Sequence, residues 1–63
     1  VADMILLVPK REYSSLCIEF KTATGKQSER QKEWGMIASS YGNKYVIVRS
    51  LEQFIDVVTA YLD

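Results

Sequence analysis

Residues 14–21 combine the pattern of a strand with two charges that a purely packing strand would lack. The apolar members are Leu16, Ile18 and Phe20, and the charged members are Glu19 and Lys21. Since successive side chains alternate across a strand, Glu19 and Lys21 share one face, at roughly 6.5–7 Å between their Cα atoms. The stretch therefore predicts a strand that packs on one side and presents a carboxylate and an ammonium on the other.

An apolar run just before this strand predicts a hairpin partner for it. Residues 4–8 are continuously apolar and end at Pro9, which cannot donate to a ladder. Such a run is typical of a central strand that is covered on both faces. The polar turn that follows is short, so the two strands should pair antiparallel. With that turn centred on residue 11 or 12, Asp3 lies opposite Glu19 or Lys21 and shares their face.

The middle of the chain predicts a helix that follows a polar loop. Ser28 and Gln31 have the spacing of a capping box, in which each residue satisfies a backbone amide of the other. Gly42, followed by Asn43, is suited to the left-handed cap at the end of the helix. The expected inward face of this helix consists of Gln31, Trp34, Ile37, Ala38 and Tyr41.

A third strand and a second helix complete the chain. Residues 44–49 are rich in β-branched and aromatic residues, which favour strands, and Arg49 at the end has no predicted role. Ser50 and Gln53 repeat the capping-box spacing at the start of a helix. The expected apolar face of that helix consists of Leu51, Phe54, Ile55, Val58, Tyr61 and Leu62.

The order β-β-α-β-α predicts an α/β fold, a small mixed β-sheet flanked by helices. A right-handed crossover through the first helix makes the third strand parallel to the second. Sixty-three residues allow a single domain, residues 1–63, which buries only about 60% of its unfolded surface. A domain with so small a core gains from a partner subunit.

Composition excludes several classes of function. The net charge is zero, so no overall field attracts nucleic acid or a membrane, and binding to either needs a local patch. The chain has one cysteine, Cys17, and no histidine, which excludes an internal disulfide, zinc sites of the usual kind and histidine-based triads. The longest apolar run is too short to span a membrane, and a cytoplasmic location is expected.

Asp3, Glu19 and Lys21 together suit a hard divalent cation. Mg²⁺ binds through one or two carboxylates, with waters and substrate phosphate completing its shell, and a lysine can hold a phosphate oxygen or orient a nucleophile. No glycine-rich phosphate loop is present, so phosphodiester hydrolysis is the natural reaction class. Two simpler interpretations stay open: a surface ion pair between Glu19 and Lys21, and a strand-start role for Asp3.

These motifs resemble the VRR-NUC domain, the virus-type replication-repair nuclease of the PD-(D/E)xK superfamily. They are Asp3 ahead of the hairpin, the sequence Ile18-Glu19-Phe20-Lys21, the S-x-x-Q-x-x-W pattern of residues 28–34, and residues 46–50. The ordered set covers essentially the whole chain, and it is far more specific than the E-x-K triplet alone. Ala2 occupies the position of the proline in the PD-(D/E)xK motif that gives the superfamily its name.

The resemblance implies a metal-dependent DNA endonuclease with a restriction-endonuclease-like core. Asp3 and Glu19 would bind Mg²⁺ or Mn²⁺, and the Phe20 carbonyl would add a third ligand. Lys21 would be the catalytic lysine, and Gln31 would reach from its helix into the site, although the capping box alone accounts for Gln31. Domains of this family usually begin with a helix that carries a further acidic residue, and we expect that helix to be missing from this sequence.

The resemblance also implies partners. Family members of this size resemble Holliday-junction resolvases, so branched DNA is the expected substrate and a homodimer the expected assembly, in a bacterium or a phage-infected cell. Lys10, Arg11 and Lys26 are candidate phosphate contacts, although solvated turn charges explain them without DNA. The alternative function is a non-catalytic DNA-binding or assembly module that retains the nuclease fold.

Overall fold

A three-stranded mixed sheet organises the fold. The structure, a computed structural model, describes residues 2–63, and Val1 lies outside the described residues. The strands are β1 (Met4–Leu6), β2 (Leu16–Phe20) and β3 (Lys44–Val48), and the helices are α1 (Glu29–Ser40) and α2 (Leu51–Leu62). β1 runs antiparallel to β2, and β3 runs parallel to it. The predicted α/β class and the order β-β-α-β-α are confirmed.

The hairpin of β1 and β2 has one of the two predicted registers. Ile5 pairs with Cys17. Continuing the same ladder past the start of β1 therefore places Asp3 opposite Glu19. A shift of one residue would move the side chain of Asp3 to the other face of the sheet, so this register is what brings the two carboxylates together.

The prediction that the first strand is central and doubly covered is wrong. β2 lies at the centre of the sheet, with β1 at one edge and β3 at the other. Residues 16–19 of β2 are buried, whereas β1 ends at Leu6 and the next residue of the apolar run, Leu7, is 81% exposed. The chain segment that contains α1 returns β3 to the free side of β2, so the most apolar run of the sequence is left at an edge.

The main apolar core lies between the sheet and α2. Its fully buried members are Leu16, Ile18, Val48 and Tyr61. The partly buried residues around it are Leu6, Tyr13, Val46, Phe54, Val57 and Val58. The alternation predicted for β2 is confirmed, because Leu16 and Ile18 face α2, and Phe20 packs on Phe54 with ring centroids 5.6 Å apart.

The packed face of α2 is narrower than predicted. Leu51, Ile55 and Leu62 are 72%, 53% and 41% exposed, so these three residues lie outside it. The residues of α2 that pack on the sheet are Phe54, Val57, Val58 and Tyr61. No helix among residues 2–63 has the length and apolar character needed to cross a membrane.

The inward face of α1 also differs from the predicted one. Ile37 and Tyr41 are 57% and 78% exposed. The buried residues of this helix are Ala38, which was predicted on this face, and Gly35, which was not. Their small side chains let α1 lie close to the sheet, and a pattern of large apolar residues does not reveal such a contact.

Both helices begin at the predicted capping residues, but only α1 has a complete capping box. Ser28 Oγ accepts from the Gln31 amide at 3.1 Å, and Gln31 Oε1 accepts from the Ser28 amide at 3.0 Å. At α2, Ser50 Oγ accepts from the Gln53 amide at 3.1 Å, whereas Gln53 Oε1 accepts from the Arg49 amide at 2.7 Å. The capping box of α2 is incomplete because Gln53 Oε1 accepts from the amide of Arg49, the residue before the N-cap, and not from the amide of Ser50.

Arg11 caps the far end of α2 from the β1–β2 connection. Its guanidinium donates to the carbonyls of Tyr61, Ala60 and Asp63 at 3.2, 3.4 and 3.2 Å. The last turn of α2 has no basic residue of its own, so Arg11 supplies the cation that favours a helix carboxyl end. This gives Arg11 a structural role, and its contact with DNA phosphate stays a prediction.

We expect Arg11→Ala to destabilise the protein by about 1 kcal/mol, because carbonyls at the end of α2 lose a charged donor. The midpoint of thermal unfolding, followed by circular dichroism, should fall by roughly 4–8 °C. Arg11→Gly should lower the midpoint by less than Arg11→Ala does, since glycine adopts the φ of 55° found here without strain. Lys26→Ala, which removes an exposed loop cation, is the control. Equal midpoints for Arg11→Ala and Lys26→Ala would show that the cap contributes nothing.

Candidate metal site

Asp3 and Glu19 meet at the end of the β1–β2 hairpin. Extending the register by one residue past its last pair, Met4 with Ile18, places them opposite each other. Asp3 is exposed, and its Oδ2 accepts a hydrogen bond from the amide of Phe20 at 2.8 Å. Glu19 is only 2% exposed. The hairpin thus brings together one solvent-accessible carboxylate and one buried carboxylate.

The backbone of Phe20 faces the same edge as Asp3. The Lys21 amide donates to the Val48 carbonyl at 2.9 Å, so Lys21 directs its backbone groups to β3. Neighbouring residues of a strand direct theirs to opposite edges, and the bond from Phe20 to Asp3 agrees with this alternation. The Phe20 carbonyl therefore points to the edge that carries Asp3, where the third oxygen ligand is predicted.

A tyrosine that the sequence patterns did not indicate holds Glu19. The Tyr45 hydroxyl donates to Glu19 Oε2 at 3.1 Å and accepts from Gln27 Nε2 at 3.0 Å. Parallel pairing sets Tyr45 opposite Cys17, which puts its side chain on the Glu19 face. Burial raises the pKa of the Tyr45 phenol, the charges of Glu19 and Asp3 act in the same direction, and the bond from Gln27 acts against them. The phenol is therefore protonated, and a hydrogen-bond donor, at neutral pH.

Helix α1 fixes the ring of Tyr45. The centroid of the Trp34 ring lies 5.8 Å from that of Tyr45. A Cβ atom at Gly35 would lie 2.7 Å from Cε2 of Tyr45, far inside the separation at which carbon atoms attract. Any larger residue at position 35 would displace either the ring or the helix, so Gly35 permits the close approach of α1 to β3.

The donor set at this edge fits a hard divalent cation. Carboxylates and a main-chain carbonyl are the oxygen ligands that Mg²⁺ and Mn²⁺ prefer. Residues 2–63 contain no group of three or more His, Cys, Asp or Glu side chains arranged to hold a metal ion. An ion held here would therefore be bound by Asp3 and Glu19, with carbonyl and water oxygens, which is the mixed coordination usual for Mg²⁺.

Lys21 follows directly after β2, at the same end of the sheet. It is half-buried and lines a hollow of about 450 Å³ together with Phe20 and Phe54, on the α2 side of the sheet and away from the side of Glu19. Among residues 2–63 no hydrogen bond connects the Lys21 side chain to Asp3 or Glu19, so the predicted sharing of one face by Glu19 and Lys21 stays a prediction. The salt bridge found among the described residues lies within α1, so no ion pair between Glu19 and Lys21 accounts for the two charges. The catalytic role of Lys21 stays a prediction.

Arg49, which had no predicted role, fixes the loop that follows Lys21. Its Nη1 donates to the Thr22 carbonyl at 2.9 Å and also to the Gly25 carbonyl. The Gly25 amide in turn donates to the Thr22 carbonyl at 3.2 Å. These bonds tie the loop to the end of β3, so Arg49 helps to set the shape of this end of the sheet.

The structure does not join the other predicted site residues to the carboxylates. Gln31 uses its side-chain oxygen to accept from Ser28 at 3.0 Å, and it lines a hollow with Trp34. Within residues 2–63 no hydrogen bond connects Gln31 to either carboxylate. Lys26 is exposed in its loop, and Lys10 is half-buried in the hairpin turn. The site roles of these residues stay predictions.

Comparisons with protein-family models, curated proteins and solved structures find no match to this chain. The likeness to the VRR-NUC domain therefore rests on the chain's own motifs. The membership of the chain in that family stays a prediction.

Tyr45 and Gln27 form a hydrogen-bonded network with Glu19 at the candidate site, but they are not among the residues predicted from the sequence. Tyr45 has the pattern of an ordinary aromatic residue of β3. The alternation along a parallel ladder could have placed it on the Glu19 face, once its strand is taken to start at Lys44. No local pattern marks Gln27, because its contact with Tyr45 spans 18 residues.

Proposed function

We propose that this chain is a metal-dependent DNA endonuclease domain of the VRR-NUC kind, which hydrolyses phosphodiester bonds. The observation that carries the proposal is the placement of Asp3 opposite Glu19, with the Phe20 carbonyl directed to the same edge. A purely structural role explains Glu19 poorly. A carboxylate that is 2% exposed and bonded to a neutral hydroxyl lowers stability, because no ion pair within residues 2–63 offsets its desolvation.

Each residue of the site has a proposed role. Asp3, Glu19 and the Phe20 carbonyl would hold Mg²⁺ or Mn²⁺. The ion, when bound, supplies Lewis-acid stabilisation of the phosphate charge and activation of the attacking water. Lys21 would hold a phosphate oxygen or orient that water, since its ammonium is a compact charge on a flexible stem. Gln31 is a further candidate for the same site.

Branched DNA, such as a Holliday junction, is the proposed substrate, and a homodimer with paired sites is the proposed assembly. The net charge of the chain is zero, so contacts with DNA must depend on local cations. Lys10, Arg11 and Lys26 are the proposed phosphate contacts. The cytoplasm of a bacterium or a phage-infected cell is the proposed setting.

Titration of the chain with Mn²⁺, followed by calorimetry, tests the metal site directly. We expect saturable binding by the wild type. Asp3→Asn should weaken that binding by more than the roughly 10–100-fold typical of a change in the outer shell. Asp56→Asn, which alters an exposed carboxylate of α2, is the matched control and should bind Mn²⁺ as the wild type does. Cleavage of four-way junction DNA should be lost in Asp3→Asn and strongly reduced in Lys21→Ala.

Three results would contradict parts of this proposal. A folded wild-type chain that neither binds millimolar Mn²⁺ nor cleaves junction DNA would overturn the endonuclease function. If that chain still bound junction DNA, the non-catalytic module would be favoured instead. Cleavage that survives Lys21→Ala would contradict the role given to Lys21 alone.

A further inference from the structure

Tyr45 lies where the candidate metal site meets helix α1. Its hydroxyl is 3.0 Å from Nε2 of Gln27 and 3.1 Å from Oε2 of Glu19. A side-chain amide nitrogen only donates hydrogen bonds, and an ionised carboxylate only accepts them. Gln27 must therefore bond to a lone pair of the phenol oxygen, which leaves the single phenol proton for Glu19.

The packing of the Tyr45 ring fixes the position of the hydroxyl that donates this proton. The Tyr45 ring lies against Trp34, at 5.8 Å between centroids, and against the backbone of Gly35. The ring cannot move toward α1, because there is no space for even one additional carbon atom at Gly35. The bond at Oε2 therefore restrains the rotation of the Glu19 carboxylate, and with it the directions in which the lone pairs of both oxygens point.

We propose that Tyr45 is a positioning residue that orients the Glu19 carboxylate for a divalent cation. This inference rests on the endonuclease function proposed above. Tyr45 acts through Glu19 and is not itself a ligand. Gln27 is the second member of the network, because it determines the direction of the phenol proton, and it belongs to the loop that Arg49 ties to β3.

The affinity of Tyr45→Phe for Mn²⁺ tests this role. Phenylalanine keeps a ring packed on Trp34 and removes only the hydroxyl. Calorimetry, and the electron paramagnetic resonance signal of free Mn²⁺, should show a Kd raised by about 10–100-fold, as for outer-shell partners of other metal sites. Tyr41→Phe, at a side chain that is 78% exposed, is the matched control and should bind Mn²⁺ as the wild type does.

Cleavage kinetics separate positioning from a purely structural effect. In Tyr45→Phe the Mn²⁺ concentration for half-maximal cleavage should rise by the same factor of about 10–100, while kcat at saturating Mn²⁺ is largely retained. Gln27→Ala removes the group that directs the phenol proton, and its Kd for Mn²⁺ should rise a few-fold. That variant alters a half-buried loop residue and tests the same network if Tyr45→Phe does not fold.

The possible results distinguish this inference from the proposed function. Unchanged Kd values in both Tyr45→Phe and Gln27→Ala would overturn the positioning role and leave the endonuclease function standing. A loss of kcat at saturating Mn²⁺ with an unchanged Kd would also overturn the positioning role. A wild-type chain that binds no Mn²⁺ would overturn both.

Discussion

Glu19→Gln should abolish metal-dependent cleavage of junction DNA while the chain stays folded. Glutamine has nearly the size of glutamate, and it keeps an oxygen that can accept from the Tyr45 hydroxyl. It removes the negative charge that a cation requires. We therefore expect the cleavage rate in Mn²⁺ to fall by at least about 100-fold, which corresponds to about 2.7 kcal/mol of transition-state stabilisation. Calorimetry should show the matching loss of Mn²⁺ binding.

The same substitution should not destabilise the metal-free protein. Glu19 is 2% exposed, and the burial of a charge that is bonded to a neutral hydroxyl raises the free energy of the folded state. Glutamine removes this penalty, so the midpoint of thermal unfolding should stay unchanged or rise. Loss of activity together with unchanged or increased stability is expected where a buried carboxylate serves function.

Glu33→Gln is the matched control, because it makes the same chemical change at an exposed position of α1. It should alter neither the cleavage rate nor the unfolding midpoint. If Glu19→Gln cleaves as fast as Glu33→Gln, Glu19 is not a metal ligand. If Glu19→Gln instead lowers the midpoint well below that of Glu33→Gln, the carboxylate contributes to folding, and a structural role explains the burial of Glu19.

Ile18→Ala should remove a large part of the stability of the protein. Ile18 is 0% exposed and packs with Leu16, Val48 and Tyr61 between the sheet and α2. Removal of a buried isoleucine side chain costs about 2–5 kcal/mol, because a cavity remains. A chain of 63 residues has a total free energy of unfolding of about 3–9 kcal/mol. The urea midpoint, measured by circular dichroism, should therefore fall strongly, and part of the sample should be unfolded without urea.

Two further variants make this test sharp. Ile55→Ala makes the same change at a side chain of α2 that is 53% exposed, and it should shift the free energy of unfolding by less than about 0.5 kcal/mol. Ile18→Val removes a single methylene and should cost about 0.5–1.5 kcal/mol, which stays measurable if Ile18→Ala does not fold. Equal losses in Ile18→Ala and Ile55→Ala would contradict a core on the α2 side of the sheet.

The shared face of Asp3 and Glu19 could be predicted because hairpin register is largely a local property. The distance between the two apolar runs restricts the register to two choices, and both place Asp3 on the face of Glu19. The alternation along β2 then separates Glu19 from Ile18, which packs on α2. Short-range geometry was sufficient for this part of the candidate site.

The edge position of β1 could not be predicted from its composition. An apolar run shows that a strand can be buried, but sheet order depends on where the next strand pairs. β3 pairs with the free side of β2, which leaves β1 at the edge. The packed face of α1 could not be predicted for a similar reason. The helix contacts Tyr45 through Gly35, and a glycine has no apolar side chain that would mark this face in the sequence.

The order of the elements, the capping box at Ser28 and the two faces of β2 follow from the amino-acid sequence alone, because turn length, side-chain alternation and capping act between residues close in the chain. The contacts that complete the candidate site do not follow from the sequence alone. Gln27 bonds to Tyr45 across 18 residues, and Tyr45 bonds to Glu19 across 26. Such contacts exist only after β3 and α1 have packed on the hairpin, so the tertiary structure alone shows how the Glu19 carboxylate is held.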